Sequence, residues 1–196
     1  PTKAEVLGTW MLSILAGHRR YSHVTAIRCD GVNPGLLGMT KVISEDALRR
    51  ALTATPEAEG IAWLDQHLDE SVASLLEAPW ILDIDTTVKL LYGHQAGAEI
   101  GYNPTKPGRP SHTLHTYWIG NVRQVLDVEV QGGKASAAKH SLPRLCLLIE
   151  RLAPEERPTL VRGDNAFGNE GVMAALEALG QRYLFKLRQT AGVKRL

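Results

Sequence analysis

Apolar and polar positions follow two different periods along the chain, and the change falls near Pro79. Before that point apolar residues recur at spacings of three and four, as they do on one face of an amphipathic helix. The clearest such stripe consists of Ile61, Leu64, Leu68, Val72 and Leu75. Ser44 and the segment Thr55-Pro56-Glu57 carry residue types that begin helices. The pattern predicts a helical N-terminal segment over residues 1–78 and a second domain over residues 79–196.

After Pro79 the pattern changes to short apolar or alternating runs, which are typical of strands. Predicted strands cover residues 80–85, 113–119, 125–130, 159–164 and 183–187, and predicted helices cover residues 141–152 and 170–179. A loop over residues 93–111 separates the first two strands. The order β-β-β-α-β-α-β predicts an α/β (α+β) fold with a mixed sheet flanked by helices. This order resembles that of ribonuclease-H-like nucleases.

Two of the predicted strands are expected to be neighbours in the sheet. A right-handed crossover returns the strand after the first helix to the side of the first strand, and both strands end in an aspartate, Asp85 and Asp164. Side chains alternate along a strand, so Asp83 and Asp85 share one face while the apolar residues between them share the other. Carboxylates at adjacent strand ends suit hard divalent cations, and a pair of such cations can promote phosphoryl transfer.

The charge of the chain is balanced overall but is unevenly distributed. The 196 residues include 22 Lys+Arg and 21 Asp+Glu, which gives a net charge of +1. Residues 100–126 contain three cations and no acid, and residues 178–196 contain five cations and no acid, so the remainder carries −7. Basic stretches of this kind allow contact with a polyanion despite a neutral total.

The two cysteines, Cys29 and Cys146, are too few for a disulfide framework, so we expect reduced thiols and a cytoplasmic protein. No apolar run approaches the roughly 18 residues of a membrane span, so we expect no membrane partner.

Longer motifs surround the two aspartates. They are IDTT at 84–87, LYGHQ at 91–95, GYNPTKPGRPSH at 101–112 and RGDNAFGN at 162–169. Together they resemble bacterial insertion-sequence transposases of the DDE class, over about residues 19–187. The resemblance implies a ribonuclease-H-like catalytic core that uses two Mg²⁺ (or Mn²⁺) ions to cut DNA at element ends and join it to target DNA. It also implies that Asp85 is the first catalytic, metal-binding aspartate and that Asp164 is the second.

The sequence departs from this family at the third metal ligand, which is a glutamate on a later helix. Glu170 and Glu177 are the only acids after Asp164, and both lie in the helix that directly follows it, which is too early. We therefore expect a fragment whose sheet is incomplete at the C-terminus and which is inactive alone. The resemblance further implies a bacterial cytoplasmic protein, bound to the nucleoid through DNA, and allows a homodimer in the DNA complex.

Two other functions remain open at this point. The first is a DNA-binding module that recognises element ends without cutting them; the candidate DNA contacts are Lys89, Lys106, Arg109, Arg123 and Arg162. The second is an aspartate-nucleophile phosphatase, because residues 83–87 fit the signature D-x-D-x-T, with Asp83 as nucleophile and Asp85 as acid/base. The phosphatase requires a doubly wound parallel sheet.

Overall fold

The computed structural model describes residues 1–195, which divide into two compact units. The first is Pro1–Leu64 and the second begins at Asp65. This boundary lies inside a helix and precedes the predicted one at 78/79. The reason is that the second half of the helix contributes to the sheet domain: Val72 is buried in the core of that domain, and Asp65 and Asp69 pair with arginines of a later helix.

The N-terminal unit is helical, as predicted. It contains α1 (Lys3–Leu15), a 3-10 helix (Tyr21–Ile27), α2 (Asn33–Leu36), α3 (Glu45–Ala54) and the first half of α4 (Glu57–Val72). Ser44 begins α3 by accepting a hydrogen bond from the Ala47 N–H at 3.2 Å. A small core of Val24, Met39, Val42, Ile43 and Leu48 holds these elements together.

The second unit is built on a mixed sheet. Its strands are β1 (Ile81–Leu90), β2 (Glu99–Ile100), β3 (Pro110–Ile119), β4 (Gln124–Gly132), β5 (Leu160–Gly163) and β6 (Tyr183–Phe185). β3 pairs antiparallel with β1, β2 and β4, whereas β5 pairs parallel with β1 and with β6. Apart from the short β2, this is the predicted order, and it is the ribonuclease-H-like arrangement. The predicted fold class is confirmed.

One face of this sheet carries the core. Helices α5 (Ala137–Glu150) and α6 (Glu170–Ala178) supply apolar side chains, and short 3-10 helices lie at Ala73–Leu75, Pro154–Glu156 and Val193–Arg195. The core residues of the sheet and these helices include Leu82, Ile84, Tyr117, Ile119, Leu145, Ile149, Val172 and Leu176. Each such buried side chain contributes about 1.5–3 kcal/mol of transfer free energy. Leu82 and Ile84 are buried, so Asp83 and Asp85, which alternate with them along β1, point away from the core, as predicted.

Several ionisable side chains on the core side of the sheet are paired with partners. Arg144 of α5 contacts buried Asp127 of β4 through its Nε and also reaches Asp65 of α4 at 3.1 Å. The Tyr117 hydroxyl donates to Glu129 at 2.8 Å, and His115 bonds to Ser141. These contacts fix α4 and α5 against the sheet.

Two sequence expectations concern thiols and membranes. Cys29 is exposed and Cys146 is half-buried, and both are free thiols. Within residues 1–195, helices are all too short or too polar to cross a bilayer.

Candidate active site

The register between β1 and β5 brings the two predicted aspartates next to each other in the sheet. Asp83 lies opposite Arg162, and Ile84 lies opposite Gly163. An aspartate follows each of these two residues. Asp85 follows Ile84 within β1, and Asp164 follows Gly163 directly after β5; both aspartates are exposed. Paired strands run about 4.8 Å apart, so the two aspartates lie side by side. The predicted adjacency of these strands is confirmed, while the catalytic role of the aspartates stays a prediction.

Asp164 is held by the turn that follows β5. Its Oδ1 accepts a hydrogen bond from the Ala166 N–H at 2.8 Å, which is the geometry of an Asx turn. Phe167 is then buried in the core, and Asn169 begins α6 by accepting from the Val172 N–H at 3.3 Å. The turn therefore fixes the Asp164 backbone and occupies only one of the two carboxylate oxygens among the described contacts.

Asp85 is held through its backbone alone. The Thr116 hydroxyl of β3 donates to the Asp85 carbonyl oxygen at 3.3 Å. In the part of the chain that the structure describes, the Asp85 carboxylate has neither an ion pair nor a hydrogen bond. An exposed carboxylate beside a second one, both without a cation, is chemically suited to a positively charged ligand.

Asp83 differs from Asp85 because it already has a cation. Arg162 donates to both of its oxygens, from Nε at 2.6 Å and from Nη2 at 2.7 Å. This contact raises the pKa of Arg162. Gly120 makes room for the carboxylate, since a Cβ there would lie 2.6 Å from Asp83 Oδ2.

The phosphatase alternative is wrong on two counts. Its nucleophile would be Asp83, whose two oxygens are both engaged by Arg162. Its fold would be a parallel doubly wound sheet, whereas β1 pairs antiparallel with β3 over nine positions, from Leu82 to Leu90.

The five predicted DNA contacts are distributed over different parts of the sheet domain. Lys89 is exposed on β1 and, four residues beyond Asp85, lies on the same face. Arg162 is bound to Asp83. Arg123, at a φ of 56°, lies in the β3–β4 turn, next to Asn121, whose side chain accepts from the Ile81 N–H at the start of β1.

Lys106 and Arg109 lie in the loop that leaves the other end of β1, and both contact the ring of Tyr92. The structure therefore brings these two together and separates them from Arg123. Sequence reasoning did not identify Tyr92 as their partner; the signal available was the Pro107-Gly108 turn between the two cations.

Other ionisable candidates are engaged elsewhere. Glu177 of α6 accepts from the Tyr183 hydroxyl at 2.6 Å, and Glu170 lies in the first turn of that helix. His115 is fully buried between Ser141 and Thr113, and burial lowers its pKa to about 4. Among residues 1–195, no three or more His, Cys, Asp or Glu side chains are grouped so as to hold a metal ion.

Solved structures similar to this chain include transposases, all at low identity. A piggyBac transposase synaptic complex with hairpin DNA is 15% identical, with a TM-score of 0.49, covering 96% of this chain and 43% of that chain. The catalytic domain of Mos1 mariner transposase is 18% identical, with a TM-score of 0.37, covering 69% of this chain and 64% of that chain. The Mos1 mariner paired end complex with Mn is 17% identical, with a TM-score of 0.37, covering 94% and 59%.

This chain thus spans less than two thirds of each of these solved chains. Their TM-scores are all below 0.5. No curated protein matches the chain in sequence. The family model described as "Transposase DDE domain group 1" matches residues 2–196, and the chain therefore belongs to the DDE transposase family.

Proposed function

We propose that this chain is the catalytic core of a DNA transposase in which Asp85 and Asp164 hold divalent metal ions, two Mg²⁺ or Mn²⁺ in the complete site. The observation that carries the proposal is the β1–β5 register, which sets two carboxylates side by side, neither of them with a cation partner among residues 1–195. A divalent ion follows from membership of the family.

The donor set fits such ions. Hard divalent cations prefer carboxylate oxygens, and the two aspartates offer both oxygens of Asp85 and the free oxygen of Asp164. Arg162 neutralises Asp83 and so keeps that carboxylate out of the donor set. The third carboxylate that the family uses has no counterpart grouped with these two among the described residues. We infer that the chain taken alone does not cleave DNA.

The proposed chemistry consists of two phosphoryl transfers. In the first, water attacks a phosphorus at the end of the element, the bond to the 3′ oxygen breaks, and that oxygen leaves as a hydroxyl. In the second, this 3′ hydroxyl attacks a phosphorus of target DNA, a new P–O bond forms, and the displaced target oxygen leaves. Bound divalent ions supply Lewis acidity to the attacking and the leaving oxygens. Asp85 and Asp164 would hold those ions, and the pairing of β1 with β5 keeps the two carboxylates adjacent.

Substrate and setting are part of the same proposal. The DNA would be the inverted-repeat ends of an insertion sequence together with a target duplex, in the cytoplasm of a bacterium. The protein would act as a homodimer that holds two ends. Support comes from the family and from the acid-free stretch over residues 100–126.

A second candidate function is DNA binding without cleavage. Lys106 and Arg109 favour it because they lie together and have no acidic partner among the residues that the structure describes. Binding without cleavage would leave DNA affinity independent of Asp85 and Asp164. It would also leave no requirement for a divalent ion at those residues.

Metal binding tests the proposal directly on the 196-residue chain. Titration of Mn²⁺ by calorimetry should show binding that Asp85→Asn and Asp164→Asn each weaken by about tenfold or more. Asp69→Asn, which removes an exposed carboxylate paired with Arg151, is the matched control and should bind as the parent does. Equal Mn²⁺ affinity in all four proteins would contradict the assignment. Metal-dependent cleavage by the chain alone would contradict the inferred inactivity.

A further inference from the structure

The loop between β1 and β3 is held in a defined conformation by its own hydrogen bonds. Its two ends are joined where the Leu91 N–H donates to the Pro110 carbonyl oxygen at 3.1 Å. Asn103 is buried within the loop, and its Oδ1 accepts from the Thr105 N–H at 3.1 Å and from the Lys106 N–H at 2.9 Å. The backbone that leads into Lys106 is therefore fixed by a buried side chain.

A β-turn then places two cations side by side. In Lys106-Pro107-Gly108-Arg109, the Arg109 N–H donates to the Lys106 carbonyl oxygen at 3.3 Å. Gly108 has a φ of 78°, which a type II turn requires at its third residue, and Pro107 suits the second. The first and last Cα atoms of a β-turn are less than about 7 Å apart. The turn itself therefore brings Lys106 next to Arg109.

The ring of Tyr92 contacts the side chains of both Lys106 and Arg109. The Arg109 Cζ lies 4.6 Å from the centre of the Tyr92 ring, and the Lys106 Nζ lies 5.3 Å from it, both within the range of a cation–π contact. Tyr92 is 68% exposed. Neither cation has an ion pair with a carboxylate among the described residues, and residues 100–126 contain no acid. Two like charges held together at the surface favour an anion between them.

We propose that Tyr92, Lys106 and Arg109 form a clamp for a backbone phosphate of duplex DNA, with Tyr92 as the positioning residue and the two cations as the phosphate contacts. The inference rests on the proposed function for the choice of DNA as the anion. It deepens that function by assigning a fixed contact away from the site of cleavage.

The position of the clamp gives it a defined place on the DNA. β1 continues from Asp85 to Leu90, a length of about 17 Å at 3.3 Å per residue, and the loop with the clamp begins there. Lys89 lies on the same face as Asp85, between the two aspartates and the clamp. At about 3.4 Å per nucleotide along one strand, this length corresponds to roughly five base pairs. The clamp would therefore fix the register of the duplex without reading its sequence.

The test measures the salt dependence of DNA binding by the 196-residue chain. A fluorescent duplex of arbitrary sequence is titrated in EDTA, so that metal binding plays no part. The slope of log K against log salt is negative, and each lost phosphate contact reduces its magnitude by about 0.9. Lys106→Ala and Arg109→Ala should each reduce the magnitude by that amount, and the double variant by about 1.8.

Lys134→Ala is the matched control for charge. Lys134 is exposed and lies near Glu99 at 3.9 Å, so its removal lowers the net charge equally and should leave the slope unchanged. Tyr92→Leu keeps both cations but removes the ring, and should weaken binding several-fold. Tyr92→Phe keeps the ring and should restore most of the affinity, which a purely electrostatic surface would not require.

Several results would overturn the clamp. These are the absence of salt-dependent binding by the parent chain, equal slopes for Lys106→Ala and Lys134→Ala, or equal affinities for Tyr92→Leu and the parent. A preference for single-stranded over duplex DNA would also overturn it. Failure of the metal site appears separately, because Mn²⁺ titration of Asp85→Asn does not depend on residues of the loop.

Discussion

The two faces of the sheet differ in whether their ionisable side chains have partners. On the core side, Asp127 is bound by Arg144, Glu129 by Tyr117, and His115 by Ser141. On the other face Asp83 has its arginine, but within the described part of the chain the Asp85 carboxylate has no partner and that of Asp164 has only the N–H of its own turn. The difference separates groups that hold the fold together from groups that remain available to a ligand.

The contrast is sharpest between successive positions of β1 and β5. Asp83 faces Arg162 across the parallel strands, and two residues further along β1 an aspartate lies beside an aspartate. Arg162 lies within β5, whereas Asp164 directly follows the strand and is held by its own turn. The arginine on β5 therefore marks a paired position, and the aspartate after β5 marks a candidate cation site.

The largest expected effect comes from breaking a paired group on the core side. Asp127 is 2% exposed and is bound to Arg144, so Asp127→Ala leaves an arginine without its main partner. We expect a loss of about 3–5 kcal/mol in the free energy of unfolding, measured by urea denaturation. Asp85→Ala, on the opposite face, should change it by less than about 0.5 kcal/mol. Equal losses would remove the distinction between the two faces.

The next effect is a pH dependence that originates on the core side. Burial lowers the pKa of His115 to about 4, so folded His115 stays neutral while the unfolded chain takes up a proton below about 6.5. The stabilisation is therefore complete above pH 6.5 and is lost as the pH falls towards 4, by at most about 1.4 kcal/mol per pH unit.

Glu129 acts in the opposite direction, because burial raises its pKa and its contribution falls as the pH rises. The comparison of His115→Gln with the parent isolates the histidine. The variant should show a smaller loss of stability between pH 6.5 and 4. Parallel pH profiles of the variant and the parent would show that folding does not lower the pKa of His115.

A smaller effect is expected at the paired position of the exposed face. Asp83→Asn removes a two-point contact with Arg162, but the pair is partly exposed, so thermal denaturation should show a loss of about 1 kcal/mol or less. The freed guanidinium would then lie beside Asp85 and weaken Mn²⁺ binding. Arg162→Gln, as the partner variant, should lose similar stability without adding a cation. Tighter Mn²⁺ binding by Asp83→Asn would contradict the separation of the two positions.

Local pattern was sufficient to predict much of the site. The alternation over residues 81–85 correctly assigns Asp83 and Asp85 to one face, and the crossover rule correctly makes β5 the neighbour of β1. Both features depend on backbone geometry that short sequence segments determine. The juxtaposition of Asp85 and Asp164 follows from them.

Contacts between distant segments were not predicted. The sequence predicts that β1 ends near Asp85, but the strand continues to Leu90 because β3 supplies a partner along that length. The pairing of Arg162 with Asp83 depends on the exact register of β1 and β5, which the sequence pattern does not determine. The early domain boundary has the same origin, since Asp65 is tied to Arg144, far away in the sequence.

The most direct measurement of the central claim is a double-mutant cycle on Mn²⁺ affinity, with Asp85→Asn, Asp164→Asn and the double variant in the same buffer. If the two carboxylates hold a shared metal site, the losses are not additive, and the double variant binds no more weakly than the weaker single variant. The coupling then equals the smaller of the two single losses, which is at least about 1.4 kcal/mol for a tenfold loss. Losses that add fully, or no loss in either single variant, would show that Asp85 and Asp164 do not share an ion.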